Sequence, residues 1–270
     1  MDQQKRRTSD PEYLAEVQRM LDERGEDETA PSITYRFNQL YASRFGETED
    51  FAAIKREYND IVLGLEPRLR ARIAAAEDPL AAALIIARLG NYIDFGAMAE
   101  VSPEAFLALF DDISMRPDEL AVYHSFLENC ARSKRFLLVA DNCGEIVLDR
   151  LMLEELRRRF PHLSVKLLVR GAEVLNDATA EDAVYAGADR VAEIVSSGVA
   201  IPGTMYALIA PEARRALDEA EVVLSKGQGN YESLAGQGRH VFYAFLCKCD
   251  LFTERFQVPR FTGMLIEERA

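Results

Sequence analysis

The sequence predicts an α/β protein, with an all-helical amino-terminal domain over residues 1–132 and a Rossmann-like three-layer α/β/α domain with a mainly parallel sheet over residues 133–270. A change of rhythm carries this prediction. Before residue 132 apolar residues recur every three or four positions, as on one face of a helix. After it, short apolar runs alternate with helical segments, the pattern of strands joined by right-handed helical crossovers and covered on both faces. With 270 residues, 49% of them hydrophobic, the chain can build one large or two small domains with a sizeable core.

In the first part, Phe51, Ile54, Tyr58, Ile61, Val62 and Leu65 form one stripe and leave Lys55, Arg56 and Glu57 mostly to the other face. Asp78-Pro79 and Ser102-Pro103-Glu104 mark helix starts, because a capping oxygen precedes a proline whose fixed φ suits a first helical turn. "LAAALIIARLG" is apolar almost all round and reads as a buried helix. Residues 22–31, "DERGEDETAP", are acidic and aperiodic, so an exposed loop is expected there. In the second part "RFLLVA", "SVKLLVR", "RVAEIV", "EVVLSK", "HVFYAFLC" and "GMLIEE" read as strands. Between them, "EIVLDRLMLEELRRRF", "ATAEDAVYAG" and "PEARRALDEA" read as helices, with no internal repeat.

Thirty-two basic against 45 acidic residues leave a net charge of 32 − 45 = −13. That charge opposes attraction to a nucleic-acid backbone or to anionic lipid, so neither is expected as a partner. The start, "MDQQKRRTSDPEY", has no apolar run behind its basic residues, and no stretch approaches the roughly 18 apolar residues of a membrane span. A soluble cytoplasmic protein is expected. Cys130, Cys143, Cys247 and Cys249 are too few and too unevenly spaced for a disulfide scaffold, so reduced thiols are expected.

Parallel sheets bind ligands outside the carboxyl ends of their strands. Three such ends carry "DNCGE" (141–145), "GAEVLND" (171–177) and "SKGQGN" (225–230), which would open on one rim. Asp141 and Asn142 offer hard oxygen donors, and Gly144 permits a tight turn whose free N–H groups could hold a phosphate; alternatively Asp141 or Asn142 caps the following helix. Asn176 and Asp177 pose the same choice, with Asp177 as metal donor or as N-cap of a helix beginning near Ala178. Two oxygen clusters on one rim favour a cation.

Lys226, Gly227, Gln228, Gly229 and Asn230 make a candidate phosphate cradle, although an isolated motif of this kind is more often a plain glycine turn. It is neither a P-loop nor a dinucleotide fingerprint, whose last glycine would fall on Glu232. Asn91 and Asp94 either cap neighbouring elements or reach the rim from the helical half. Cys247 and Cys249 would share one side of a strand and read as buried packing, and His124 as a core or boundary residue. The histidines at 124, 162 and 240 form no H-E-x-x-H pattern, and there is no G-x-S-x-G elbow.

Taken together, "ADNCGEIVLDRLMLEEL", "VLNDATAEDA" and "LSKGQGNYESL", preceded by "EDPLAAALIIARLGNYIDFGA", resemble the damage-control phosphatase family in family order, over about residues 50–267. The resemblance implies a helical part packed on a Rossmann-like domain and a divalent metal ion at the strand ends, Mn²⁺ or Mg²⁺, with Co²⁺ or Ni²⁺ as further candidates. It implies metal ligands at Asp141, Asn142 and Asp177, and a phosphate-binding lysine at Lys226. Gly144, Glu145, Asn176, Gly227, Gly229 and Asn230 would line the pocket, with Asn91 and Asp94 approaching from the helical half. The implied reaction is hydrolysis of small phosphorylated metabolites, such as sugar phosphates or damaged phosphometabolites. Water is the simplest nucleophile; an aspartyl-phosphate through Asp141 ranks second, because no D-x-D pair supplies a neighbouring acid.

Two departures stand out: Cys143, where many relatives have alanine, and the aspartate after Cys249 in "FLCKCDLFTERFQVPR", where close relatives often have proline. Two other functions share this scaffold: an S-adenosylmethionine-dependent carboxyl methyltransferase, and a noncatalytic module that binds a phosphometabolite.

Overall fold

The computed structural model describes residues 1–25, 28–46, 51–92, 110 and 114–270, without the side chains of Asp2 and Asn91. The chain opens with α1 (Asp2–Arg7), α2 (Pro11–Asp22) and α3 (Ala30–Phe45). The Asp10 carboxylate accepts the Tyr13 N–H at 2.6 Å, capping α2, and Tyr13, Val17 and Phe37 bury a small core of their own. The loop expected over 22–31 is shorter than its composition suggests, because Asp22 closes α2 and Ala30-Pro31 already form the first turn of α3.

Helix α4 (Ala52–Ala75) buries Tyr58, Val62, Leu65, Leu69 and Ile73. Lys55, expected on its outer face, is buried in the same stripe. Its ammonium lies 2.6 Å from Asp182 and 2.9 Å from Glu173, and these two carboxylates offset its desolvation. Helix α5 (Pro79–Leu89) starts where expected: the Asp78 carboxylate accepts the Leu80 and Ala81 N–H groups, each at 3.1 Å. It is buried almost all round. The helix start expected at Ser102-Pro103 lies outside the described residues. Helix α6 (Pro117–Arg132) follows and points Tyr123, Phe126 and Cys130 inward, which leaves His124 exposed rather than in the core.

All six expected strands form: β1 (Arg135–Val139), β2 (Ser164–Val169), β3 (Glu193–Ser196), β4 (Val222–Lys226), β5 (Val241–Leu246) and β6 (Gly263–Glu268). Their order is β3-β2-β1-β4-β5-β6, with every pairing parallel except β5 with β6. Helices α7 (Glu145–Arg159), α8 (Ala180–Tyr185), α9 (Pro211–Glu219) and α10 (Gln228–Leu234) make the parallel connections, and α11 (Asp250–Phe256) precedes the antiparallel edge. Because strand β5 ends at Leu246, Cys247 is buried while Cys249 stands exposed ahead of α11, so the two sulfurs do not share one strand face. All four cysteines are free thiols.

Alternate residues of β1 serve two separate cores. Phe136 and Leu138 pack with residues of α4 to α8, whereas Leu137 and Val139 pack with residues of α9, α10 and α11. Each fully buried leucine of this kind contributes roughly 1.5–3 kcal/mol. The order reverses between β1 and β4, the place where sheets of this kind open a crevice beyond their strand ends. Among the described residues no helix is long and apolar enough to cross a membrane.

Candidate functional site

The turn after β1 is built on Gly144, which takes φ of +69° and is itself the N-cap of α7 without any side-chain cap. Asp141 and Asn142 are therefore not spent on capping that helix. The turn is already saturated: Cys143 N–H donates to the Asn176 carbonyl at 2.8 Å, Gly144 N–H to Asn59 Oδ1 at 2.6 Å, and Ile146 N–H to the Asn142 carbonyl at 3.1 Å. With Glu145 and Val147 bonded to Cys143 and Gly144, the free N–H groups expected here for an anion do not exist.

The second turn meets the first. Asn142 and Asp177 pair as an isolated antiparallel bridge, and Ala178 N–H donates to the Asp141 carbonyl at 2.8 Å. Helix α8 is capped by Thr179 and Asp182 in a reciprocal box, so Asp177 is not its N-cap. Both capping alternatives thus fall away, and the three side chains expected to act together are neighbours. Asn142 Nδ2 donates to Asp141 Oδ2 at 2.9 Å and to Glu145 Oε2 at 3.3 Å. Arg170, buried at the end of β2, donates from Nε to Asp177 Oδ2 at 2.5 Å, and its Nη2 lies 3.6 Å from Asp141 Oδ1. Its Nη1 donates to Asn230 Oδ1 at 3.0 Å and to Thr204 at 3.3 Å.

Asn230 is fully buried and ties the strand ends together, donating to the carbonyls of Ala140 at 2.9 Å and Lys226 at 2.7 Å. Gly227 adopts φ of +80°, and a Cβ placed on it would lie 1.9 Å from Asp141 Oδ2. Only glycine lets this turn pass the carboxylate. Gly229 is similarly close-packed, its would-be Cβ lying 2.4 Å from the Pro202 carbonyl oxygen. Asn176 is buried in the turn through its backbone contact with Cys143. Asp94 and the side chain of Asn91 lie outside what the structure describes.

Lys226 is wholly buried, and its ammonium donates to Glu145 Oε1 at 2.6 Å, Asp149 Oδ1 at 2.7 Å and the Ala87 carbonyl at 2.9 Å. An ammonium has three donors, and here all three go to protein acceptors. Burial pushes the Asp149 carboxyl up to about 7, with the Glu145 charge adding to it and Lys226 opposing it. Asp141 is likewise pushed up to about 7, first by burial and then by the charges of Asp177 and Glu145, against the pull of Arg170 and Lys248. Burial also raises Asp177, in spite of Arg170.

This arrangement concentrates negative charge. Asp141, Glu145, Asp149 and Asp177 are four carboxyl groups paired directly with two enclosed cations, Arg170 and Lys226. Among the described residues no group of three or more His, Cys, Asp and Glu side chains is arranged to hold a metal ion. The set expected here is of another kind, two carboxylates and one amide. Its oxygen chemistry suits a hard divalent cation, whose charge would also favour the ionised form of the buried carboxyls.

Arg170, Asn59, Asp149 and Lys248 belong to this neighbourhood although no motif announced them. Arg170 left a trace as the guanidinium that ends an apolar strand, and Asn59 as a polar residue in the buried stripe of α4.

The chain matches the family model described as "Damage-control phosphatase ARMT1-like domain" over residues 1–262. It is 29% identical over 222 residues to an Archaeoglobus fulgidus protein named damage-control phosphatase, covering 81% of this chain and 75% of that one. It is 30% identical over 182 residues to damage-control phosphatase PH1575 of Pyrococcus horikoshii, covering 66% of this chain and 61% of that protein. The crystal structure of the same Pyrococcus protein, described as a DUF89 family member, superposes with a TM-score of 0.79 at 22% identity, over 97% of this chain and 92% of that one. That likeness establishes the shared fold.

Proposed function

Because the chain belongs to the damage-control phosphatase ARMT1-like family, we propose that it hydrolyses phosphomonoesters of small metabolites, sugar phosphates or damaged phosphometabolites, at the rim where β1, β2 and β4 end. The observation that carries the reading is the convergence of Asp141, Asn142 and Asp177 from two separate turns in a neighbourhood rich in buried carboxyl groups. Those three residues would hold a divalent cation, Mn²⁺ or Mg²⁺ first, which supplies polarisation of the phosphoryl oxygens. Asn142 now presents its amide nitrogen to two carboxylates; a half-turn of the amide presents its oxygen instead.

The protein's own groups set the geometry. Arg170 fixes the direction of the Asp177 carboxylate and, through Asn230, ties it to the ends of β1 and β4. Lys226 holds Glu145 and Asp149 beneath the site, and would reach a phosphoryl oxygen only by giving up one of its three present acceptors. Water serves as nucleophile. The same reading takes the two cores on either side of β1 as a Rossmann-like α/β/α layering, residues 1–132 as the helical part that covers it, and the cytoplasm as the compartment.

Turnover of p-nitrophenyl phosphate tests the reading. It predicts hydrolysis that needs Mn²⁺ or Mg²⁺ and is abolished by a chelator and by Asp141→Ala. Phosphate binding without turnover would favour a noncatalytic module, and methyl transfer from labelled S-adenosylmethionine would favour a methyltransferase.

A further inference from the structure

Two arginines near the amino terminus lack a counter-charge. Arg6 and Arg7 end α1, and neither forms an ion pair with a carboxylate among the described residues, in a chain with 45 acidic against 32 basic residues. Both line a cavity of about 790 Å³ between α1 and α3 on one side and residues 172–175, in the turn after β2, on the other. That volume falls in the range of roughly 300–1,000 Å³ typical of small-molecule sites. Lys5, the third basic residue of the same helical turn, does not line it.

The lining is rich in hydrogen-bonding groups. Gln3, Thr34 and Gln39 contribute side chains that bond to no described residue. Arg7 is held in place: its Nη1 donates to Asn38 Oδ1 at 2.8 Å, and its guanidinium lies 4.0 Å from the centre of the Tyr41 ring. Its Nη2 has no partner among the described residues. Arg6 is exposed and gives no side-chain hydrogen bond to a described residue. Glu173, a carboxylate of the lining, is engaged by Lys55 at 2.9 Å. Two neighbouring guanidinium groups without a carboxylate partner repel one another, and a bound dianion turns that repulsion into attraction.

The opposite wall belongs to the turn that ends at Asp177. Leu175, half-buried in that wall, takes φ of +50°, an unfavourable conformation for a branched side chain. The Asp177 N–H closes the turn by donating to the Val174 carbonyl at 3.1 Å. A ligand that presses on Leu175 therefore bears on the backbone that places Asp177. Asp141, Asn142 and Asp177 do not line the cavity themselves, which makes it a separate site. We propose that it is a regulatory site for a small dianionic metabolite, a dicarboxylate or phosphate that also carries hydroxyl groups, held by Arg6 and Arg7. Guanidinium forks present paired donors to carboxylate or phosphate oxygens, and the amide and hydroxyl side chains of Gln3, Thr34 and Gln39 suit the hydroxyls. Its influence on turnover rests on the phosphatase reading above; its binding of the anion does not.

Calorimetric titration of L-malate, and separately of inorganic phosphate, into the metal-free protein at low salt tests the site. At least one of the two should bind saturably, and which one does tells a dicarboxylate site from a phosphate site. Arg6→Met should weaken that binding about tenfold or more, the scale of one charge-assisted contact, with an unchanged melting temperature. Lys5→Met removes the same charge one residue away and should keep wild-type affinity. Binding of neither anion overturns the proposal, as does a loss in Lys5→Met equal to that in Arg6→Met, which marks general charge attraction alone. With Mn²⁺ in excess, the anion that binds should shift wild-type kcat/KM for p-nitrophenyl phosphate at least twofold beyond any shift in Arg6→Met. An equal response in both proteins overturns the regulatory role. Wild-type protein that binds the anion through Arg6 yet hydrolyses no ester counts against the phosphatase reading alone, and the site then stands on the binding data.

Discussion

Gly227→Ala is the most informative single substitution. The residue sits at φ of +80° and ψ of 159°, a region occupied almost only by glycine, so alanine costs about 1–3 kcal/mol of backbone strain. A methyl group there would lie 1.9 Å from Asp141 Oδ2 and 2.2 Å from its Cγ. Restoring ordinary contact requires a displacement of about 1.5 Å, and the Asp141 side chain can yield by rotating away while the fold survives. The substitution therefore moves a proposed ligand by more than the roughly 1 Å that typically costs a hundredfold in rate. We predict a fall of about 10² in kcat/KM for p-nitrophenyl phosphate with Mn²⁺. Gly236→Ala is the control, since Gly236 shares a positive φ of +76° but has nothing within 4 Å of its would-be Cβ. It should lose stability and keep its activity. If Gly227→Ala retains wild-type kcat/KM and loses no more stability than the control, Asp141 does no work at this rim.

Three further outcomes follow from the same geometry. Lys55→Met leaves the Asp182 carboxylate without its buried cation and should cost about 3 kcal/mol in urea unfolding; a change below about 1 kcal/mol would mean that the pair is not closed in solution. Asn230→Ala removes the donor to two strand-end carbonyls and the acceptor for Arg170, so a loss of about 2–4 kcal/mol is expected, with kcat falling as Asp177 loses its fixed direction. Asp149 binds its proton more tightly in the fold, where its pKa is about 7, than in the unfolded chain, where it is near 3.8. Metal-free stability should therefore fall, by an amount on the order of a few kcal/mol, as pH rises from about 4 to about 7, then level off. Asp149→Asn should flatten part of that slope, as read from denaturant titrations across the window.

The sequence was most legible where a single physical cause acts. Uninterrupted apolar runs such as 136–139 and 241–246 mark strands buried on both faces, and the mainly parallel arrangement follows from alternation with helices. Asp78-Pro79 marked a helix start for the same local reason. Misreadings arose where long-range pairing overrides local pattern. Lys55 looked like a solvent-facing residue because its partners lie 118 residues or more away, at Glu173 and Asp182. Cys249 looked like a strand residue because nothing local shows that β5 stops at Leu246. At the site, the oxygen donors stood out as polar residues at strand ends, whereas the fate of each N–H after Gly144 and each proton on Lys226 depends on Asn59, Asn176, Ala87 and Asp149, which only folding brings near.

Calorimetric titration of Mn²⁺ into the metal-free protein near pH 7.5, repeated on Asp177→Asn, tests most directly whether Asp141, Asn142 and Asp177 form a cation site. Coordination by these three residues predicts one saturable site in the wild type and its loss, or a weakening of at least tenfold, in the variant. Equal Mn²⁺ affinity in both proteins, or no binding to the wild type, would contradict it.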